Sequence, residues 1–246
     1  MLRISLKAEK ITTLFGLPVT NTLLTSVIVL ILVFIIGIFY KRSCEKEKRN
    51  TFFYLITISL KLVYNLFESI LGERIDFFFP LLGAFFFFII IHNELGLLPG
   101  FGSILIKVKE SIQLVQVPLL RGATTDLNTT LALGLISVIF AQYAGIKFLG
   151  TGGFYKKFFN FSNATAFFAG IMETIQEFSK VIAFTFRLFG NIFAGEVVIL
   201  IMAFLMPVLL SFPFLLFEIF IGFIQAVVFA MLSAVFFSLA IEKAHY

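Results

Sequence analysis

One apolar stretch of this 246-residue chain carries side chains that could move ions, METIQEFSKVIAFTFRLFGNIFAGEVVILIMAFLMP. Steps of 4, 3, 7 and 4 residues place five polar side chains on one stripe of a helix, namely Glu173, Glu177, Lys180, Arg187 and Asn191. Glu196 follows Arg187 by nine residues. It therefore points to nearly the opposite side, about 13–14 Å further along the axis. One helix is thus predicted to present a cation on one face and a carboxylate on the other.

Ionisable groups in such a helix are informative because of their cost. An ionisable group at membrane depth costs at least about 2.5–3.5 kcal/mol, so Arg187 and Glu196 indicate an ion pathway by default. The alternative for Arg187 is a flanking residue that reaches the cytoplasmic headgroups, with the span beginning at Leu188. The glycines and the asparagine that follow do not suit a lipid face, and small residues allow helices to approach closely. The stretch therefore predicts a surface that faces protein and water.

The last apolar segment repeats this pattern. Glu218 and Gln225 are seven residues apart, so they share a helix face, and Gly222 and Ala226 flank it. A buried glutamine often does no more than form a hydrogen bond between helices. A glutamate in a membrane needs a partner, a proton or water, and each of these indicates an aqueous path.

Two further polar groups stand where apolar segments begin or end. His92 lies beside Asn93 and Glu94, and either ends a span or belongs to a pathway. Asp126 and Asn128 stand at the mouth of the next span, where they could simply cap its first turn. The sequence contains no HExxH or GxSxG motif and no histidine in the middle of a span. We therefore expect no metal site and no catalytic nucleophile.

Composition predicts the elements that position these residues. The chain is 60% hydrophobic and 13% charged, with a mean hydropathy of +1.05. A soluble domain carries roughly a quarter charged residues, so lipid must be the solvent for most of this chain. Because a span needs roughly 20 apolar residues, we predict spans at 20–40, 75–98 and 128–149, and longer helices at 165–206 and 212–241. The fold class is therefore all-α, a polytopic membrane protein with about five transmembrane helices in a single domain over 1–246.

Two other segments add to this architecture. Residues 51–73 carry Lys61, Asn65 and Glu68 on one face, which predicts an amphipathic helix in the interface, with a span as the alternative. The loop after the first span holds the densest group of cations, namely Lys41, Arg42, Lys46, Lys48 and Arg49. By the positive-inside rule this loop is cytoplasmic and the N-terminus lies outside. The last two helices exceed one bilayer thickness, so we predict a long, strongly tilted hairpin, with Pro207 and Pro213 at its turn.

The string TFRLFGNIFAGEVV resembles the signature of subunit a of F-type ATP synthases, in which an Arg-Leu-Phe-Gly-Asn core carries the essential arginine. HNELGLLPG, TTDLNTTLALGL and IGFIQAVVFAMLSAVFFSLA resemble other segments of that family, so the likeness covers most of the chain. It implies that a ring of c subunits, each with a membrane carboxylate, rotates against the chain. Two aqueous half-channels would open to opposite sides, and Arg187 would separate them.

The resemblance also assigns residues by match. The implied translocation set is Arg187, Glu196, Glu218, Gln225 and Asn191, and the implied half-channel lining is Asp126, Asn128, Asn93, His92 and Glu94. Glu196 and Glu218 match positions of the outside-facing half-channel, and Asn191 and Gln225 would orient water beside the arginine. Some relatives carry an acidic residue at the position of Gly96, and some carry histidine at the position of Glu218.

The same resemblance sets the expected role and surroundings. The chain would be a non-catalytic subunit that couples ion flow to ATP synthesis, without a cofactor and without nucleic acid. Expected partners are the c-ring subunits, the b subunits of the peripheral stalk and membrane lipid, in the inner membrane of a bacterium. The expected ion is the proton, with the sodium ion left open. The alternatives are a secondary ion-coupled transporter, which is expected to show repeated halves, and an intramembrane hydrolase, which needs an activated nucleophile or metal ligands.

Overall fold

Over the residues that it describes, the computed structural model is helical apart from two short hairpins. It describes residues 8–14, 16–45, 50–98, 100–102, 104–110, 113–158, 164–206, 209 and 211–242. The helices are α1 Asn21–Cys44, α2 Thr51–Leu71, α3 Ile75–Leu97, α4 Leu127–Phe158, α5 Ala164–Leu205 and α6 Ser211–Ile241. The hairpins are β1 Lys10–Leu14 with β2 Leu17–Thr20, and β3 Leu105–Glu110 with β4 Gln113–Pro118. Within the described residues, five segments are long and apolar enough to cross a membrane, which confirms the predicted fold class.

The helix ends agree closely with the hydropathy prediction. The predicted span at 128–149 stops where α4 bends, because Gly150 has φ 75° and interrupts the regular helix. A positive φ is readily adopted only by glycine. α5 runs unbroken for 42 residues and α6 for 31, about 63 Å and 46 Å of helix. Both helices are longer than a hydrocarbon core of about 30 Å. The tilt of the hairpin stays a prediction. Pro207, Lys46, Lys48, Arg49 and His245 lie outside the described residues.

α2 connects the ends of two neighbouring helices. At its start, the ring of Phe53 stacks on Tyr40 near the end of α1, with ring centroids 5.1 Å apart. Towards its end, the Tyr64 hydroxyl donates to Asp76 at the start of α3 over 2.8 Å. Gly72 ends α2 at φ 54°. The charged side chains predicted on one face of α2 are exposed, so the interfacial position of this helix stays a prediction consistent with its contacts.

The core lies among α3, α4, α5 and α6 and the second half of α2, and phenylalanine is its commonest residue. Phe78 of α3 stacks on Phe237 of α6 at 5.3 Å, and Phe184 of α5 lies 4.7 Å from Phe229 of α6. Buried aromatic pairs of this kind contribute about 0.5–1.5 kcal/mol beyond the area they bury. α4 joins the same core through a buried hydroxyl pair, in which Ser137 donates to Ser233 over 2.9 Å. The packing therefore fixes α5 and α6 side by side in antiparallel register.

The two hairpins lie in segments where no secondary structure was predicted. In β3 and β4, LIKVKE faces QLVQVP in regular antiparallel register, and the alternation of apolar and polar residues is typical of a half-exposed strand. Both hairpins belong to the end of the molecule at which α3 ends and α4 begins. We call this the outer end, after the topology predicted from the cationic loop.

Candidate ion pathway

A cavity of about 300 Å³ opens at the outer end between α3, α5, α6 and the segment that precedes α4. Its wall is apolar on the side of Ile192, Leu200 and Leu215. Its polar lining is His92, Asn93, Arg121, Thr125, Glu196 and Glu218. Charged and hydrogen-bonding side chains are rare at such a place unless they face water or one another. The cavity is therefore a candidate aqueous path into the bundle.

Glu196 of α5 is held at this wall by an arginine from another part of the chain. The Nη2 atom of Arg121 donates to the Oε2 atom of Glu196 over 3.2 Å. The Arg121 side chain is 9% exposed, whereas the Glu196 side chain is 37% exposed. The carboxylate thus combines a fixed position with access to the cavity.

Glu218 of α6 is the deepest acidic group of the cavity. Its side chain is buried, and its Oε1 atom has no hydrogen-bond partner among the described residues. The carboxyl lies against Gly195 of α5, so close that a Cβ atom at position 195 would overlap it. A glycine is therefore what allows the acid to reach into the α5–α6 contact.

Glu218 also lines a second cavity of about 350 Å³ between α5 and α6. Asn191 and Gly195 contribute to this second cavity, with Phe214, Phe217 and Ile221 from α6. The one carboxyl group thus borders both spaces, the outer cavity on one side and the α5–α6 groove on the other. This geometry can pass a proton from one space to the next through a single side chain.

Asn191 and Gln225 are brought together across the groove. The Nδ2 atom of Asn191 donates to the Oε1 atom of Gln225 over 3.0 Å. Gln225 is buried, and its Nε2 atom has no partner among the described residues. Gln225 is the fifteenth of the 31 residues of α6, so the pair lies near the middle of that helix.

Arg187 lies one turn of α5 from this pair, about 6 Å along the axis. It is exposed, and among the described residues it has neither a hydrogen-bond nor an ion-pair partner. Its own face of the helix carries the small residues Ala183, Gly190 and Ala194 at spacings of four, three and seven. A cation among apolar neighbours is costly without a partner, and none of the described residues supplies one.

The other exposed face of α5 is chemically different. Phe178, Ile182 and Phe186 follow at steps of four and are 71%, 58% and 60% exposed. Large apolar side chains of this kind suit lipid, whereas the small residues around Arg187 suit a closely approaching helix. α5 therefore has two chemically different exposed sides, one of large apolar residues and one of small residues around a cation.

α3 supplies the remaining predicted residues of the cavity. The Nδ2 atom of Asn93 donates to the carbonyl oxygen of Gly222 over 3.0 Å, which ties α3 to α6. His92 is fully buried, its Nδ1 accepts from the amide of Ala123 at 3.4 Å, and its Nε2 has no partner among the described residues. Glu94 lies near Gly222 and is not among the residues that line the cavity.

Asp126 and Asn128 are placed differently from the other predicted lining residues. The Oδ1 atom of Asp126 accepts from both the backbone amide and the side-chain amide of Asn128 at 3.4 Å. The two side chains thus support the first turn of α4 and do not line the outer cavity, in which Thr125 takes part instead. Their contribution to the access path stays a prediction.

In the first half of α5, two members of the predicted stripe form an ion pair. The Nζ atom of Lys180 lies 2.6 Å from the Oε1 atom of Glu177, and both side chains are 14% exposed. The same ammonium lies 4.8 Å from the ring centroid of Phe236. Lys180 is therefore neutralised within the chain, whereas the described residues offer Arg187 no such partner.

Arg121 is a cavity-lining residue that the sequence analysis did not predict, since no motif or helix spacing singles it out. Its partner Glu196 is 75 residues away along the chain, so no local spacing could connect them. The one available signal is position, because Arg121 stands five residues before Asp126 at the start of a span that follows an outside loop.

Comparison with known proteins shows which family the chain resembles. The family model described as ATP synthase A chain matches residues 23–238. ATP synthase subunit a of Syntrophobacter fumaroxidans is 36% identical over 181 residues, which cover 72% of this chain and 66% of that protein. The chloroplastic ATP synthase subunit a of Stigeoclonium helveticum is 31% identical over 231 residues, 92% of this chain and 86% of that protein. ATP synthase subunit a of Moorella thermoacetica is 29% identical over 217 residues, 88% of each chain.

Proposed function

This chain belongs to the ATP synthase A chain family, and from that premise we propose how its residues carry protons across the bilayer. It is a non-catalytic, proton-translocating membrane subunit of an F-type ATP synthase, as the resemblance of its arginine motif implied. Family membership leaves the alternatives of a secondary transporter and an intramembrane hydrolase without support. What remains to be assigned is the path of the proton and the residue that ties it to rotation.

The proposal depends on one observation, the unpaired exposure of Arg187 beside small residues. A cation near the middle of the bundle, with no partner among the described residues, is matched by a carboxylate of a neighbouring subunit. The small side chains of Ala183, Gly190 and Ala194 permit that neighbour to approach closely. We take the neighbour to be a ring of c subunits, each of which carries a membrane carboxylate.

Depth supports this role over that of a flanking residue. Arg187 is one turn from Asn191, and Asn191 is bonded to the middle of α6 through Gln225. A residue that reaches the headgroups would stand beside the end of a span and not beside its centre. The guanidinium therefore faces the apolar interior, where its field is screened least.

The outside half-channel follows from the two cavities. A proton enters the outer cavity beside Glu196, passes to Glu218, and leaves through the α5–α6 groove toward the ring. Asn191 and Gln225 line or border that groove, where their amides orient the water that carries the proton. Carboxylates and water are the usual members of proton relays inside membranes.

The positive charge of Arg187 couples this proton path to rotation of the ring. An adjacent fixed cation favours the ionised form of a passing carboxylate, so the ring site releases its proton as it reaches the arginine. The guanidinium cannot itself lose its proton, so it does not relay protons between the half-channels. Flow is thereby coupled to rotation.

The surroundings of the chain follow from the same role. We propose that the b subunits of a peripheral stalk hold the chain against rotation and that lipid covers the face of Phe178, Ile182 and Phe186. The exposure of these three side chains supports a lipid contact. Relatives from Syntrophobacter and Moorella support the plasma membrane of a bacterium as the location.

The test replaces Arg187 by alanine in the assembled complex. ATP synthesis driven by a proton gradient in reconstituted vesicles should fall to background, while the complex still assembles and the membrane becomes leaky to protons. The matched control is Arg74→Ala, because Arg74 is also a cation at a helix boundary, but its guanidinium lies over the ring of Phe148, 5.4 Å from the ring centroid. Near-normal synthesis by the Arg187→Ala complex would show that Arg187 is a flanking residue and would overturn the proposal.

A further inference from the structure

We propose that Arg121 is the positioning residue of the outside half-channel, because its guanidinium fixes the Glu196 carboxylate at the wall of the outer cavity. The proposal rests on the role of Glu196 as a relay, given above. Arg121 itself takes no proton, since a guanidinium remains charged at all working pH values. Its effect on transport is therefore exerted through Glu196.

The first support is the contact itself. Arg121 and Glu196 come from segments 75 residues apart, and their side chains meet at 3.2 Å in the lining of the cavity. The arginine is buried and the glutamate is about a third exposed. The pair thus has one anchored member and one member that faces the water path.

The second support is the way in which the backbone of Arg121 is held. Its amide donates to the Oγ1 atom of Thr25 in α1 over 3.2 Å, and that hydroxyl donates in turn to the carbonyl oxygen of Asn21. The side-chain amide of Asn21 donates to the carbonyl oxygen of Pro118, three residues before Arg121. Asn21 and Thr25 are buried. The segment that carries the guanidinium is therefore fixed at two points to the first turns of α1.

The third support is charge. Glu196 and Glu218 line the same cavity, and two carboxylates in a confined space repel each other when both are ionised. Arg121 neutralises the outer one, so that an incoming proton meets one fixed carboxylate at the wall and one deeper acid. Without the cation the Glu196 side chain can turn away from the cavity about its three rotatable bonds.

A purely structural ion pair would also explain burial, so the test must separate the two roles. It uses a double-mutant cycle in the assembled ATP synthase complex, with Arg121→Gln, Glu196→Gln and both together. Passive proton conduction is measured in membrane vesicles from which the catalytic sector has been stripped, and is normalised to the amount of the assembled membrane sector. The control is Lys107→Gln, which removes an exposed cation from β3 in the same outer segment.

We expect each single variant to lower conduction about tenfold, which corresponds to about 1.4 kcal/mol. The double variant should conduct as poorly as Glu196→Gln alone, because Arg121 then has nothing to position. Arg121→Lys should lose only about two- to threefold, since an ammonium keeps the charge and loses the planar fork. The Lys107→Gln control should conduct normally.

The outcomes distinguish the two proposals. If the losses multiply to about a hundredfold in the double variant, Arg121 acts independently of Glu196 and the positioning role is overturned. If Glu196→Gln conducts normally, the relay role of Glu196 fails, and the positioning role fails with it. If the Arg121→Gln complex does not assemble, the same cycle is measured with Arg121→Lys. A loss of conduction from Arg121→Lys that is equally large in the Glu196→Gln background would also overturn the inference.

Discussion

A methyl group added at Gly195 should impair proton transport while it leaves the fold intact. Gly195 lies in α5 directly against the Glu218 carboxyl, and a Cβ atom there would overlap all three atoms of that group. The obstacle is the far end of a flexible side chain and not backbone. Gly195→Ala should therefore be accommodated by moving the acid rather than by separating the helices.

The size of the effect follows from two opposed terms. Alanine is better than glycine in a helix interior by about 0.5–1 kcal/mol, so α5 itself should gain stability. The carboxyl, in contrast, must withdraw by about 1 Å or more to restore ordinary contact. A shift of about 1 Å in reacting groups can cost on the order of 10²-fold in rate. We expect proton conduction to fall between about tenfold and a hundredfold in a complex that assembles normally.

The assay is ATP-driven proton pumping in reconstituted vesicles, scaled to the amount of complex. Gly96→Ala is the matched control, because Gly96 lines the same outer cavity and a Cβ atom there has no neighbour within 4 Å. The double variant Gly195→Ala, Glu218→Asp should regain part of the activity lost by Gly195→Ala, since aspartate is one methylene shorter. Normal pumping by Gly195→Ala would refute the reasoning, and so would an equal loss in the Gly96→Ala control.

Three further outcomes are expected. Arg187→Lys should retain only a small fraction of the ATP synthesis measured in energised vesicles, because a desolvated ammonium loses its proton more readily than a guanidinium. Synthesis near the normal rate would contradict this expectation. Glu218→Gln should slow passive conduction at least tenfold without making the membrane leaky, since the barrier at Arg187 remains, and a leak in that variant would refute it. Asn191→Leu and Gln225→Leu should each reduce ATP-driven proton pumping severalfold. The double variant should lose no more than the worse single variant, because the two side chains share one hydrogen bond. Losses that multiply in the double variant would argue against a shared role.

Hydropathy predicted the helices because lipid imposes the same requirement on every span. The run at 75–98 became α3 at Ile75–Leu97, and 165–206 became α5 at Ala164–Leu205. Each span must satisfy its backbone internally and present an apolar surface of a set length. Those demands are local, so they can be predicted from a window of about 20 residues. The hairpin of β3 and β4 was not predicted from these windows, because each of its strands has only six residues.

The candidate site was predictable only as far as residue type and spacing extend. Arg187, Glu196, Glu218 and Gln225 stood out because polar groups are costly among apolar neighbours. Their pairing was not predictable, since the Asn191–Gln225 bond and the seat of Glu218 on Gly195 depend on how α5 and α6 are aligned. That alignment is set by ring contacts such as Phe184 on Phe229. The chain has 36 phenylalanines, so the sequence does not indicate which two rings pair.

The tie between Arg121 and Glu196 also has a consequence for the order in which the chain is made. Ribosomes add about 5–20 residues per second, so the 75 residues between the two side chains correspond to roughly 4–15 s of synthesis. During that interval the chain gains α4 and most of α5, while the Arg121 guanidinium has no Glu196 carboxylate to pair with. The outer wall of the pathway can close only once α5 has entered the membrane. A nascent chain that stops before α5 therefore carries the Arg121 guanidinium without its Glu196 partner.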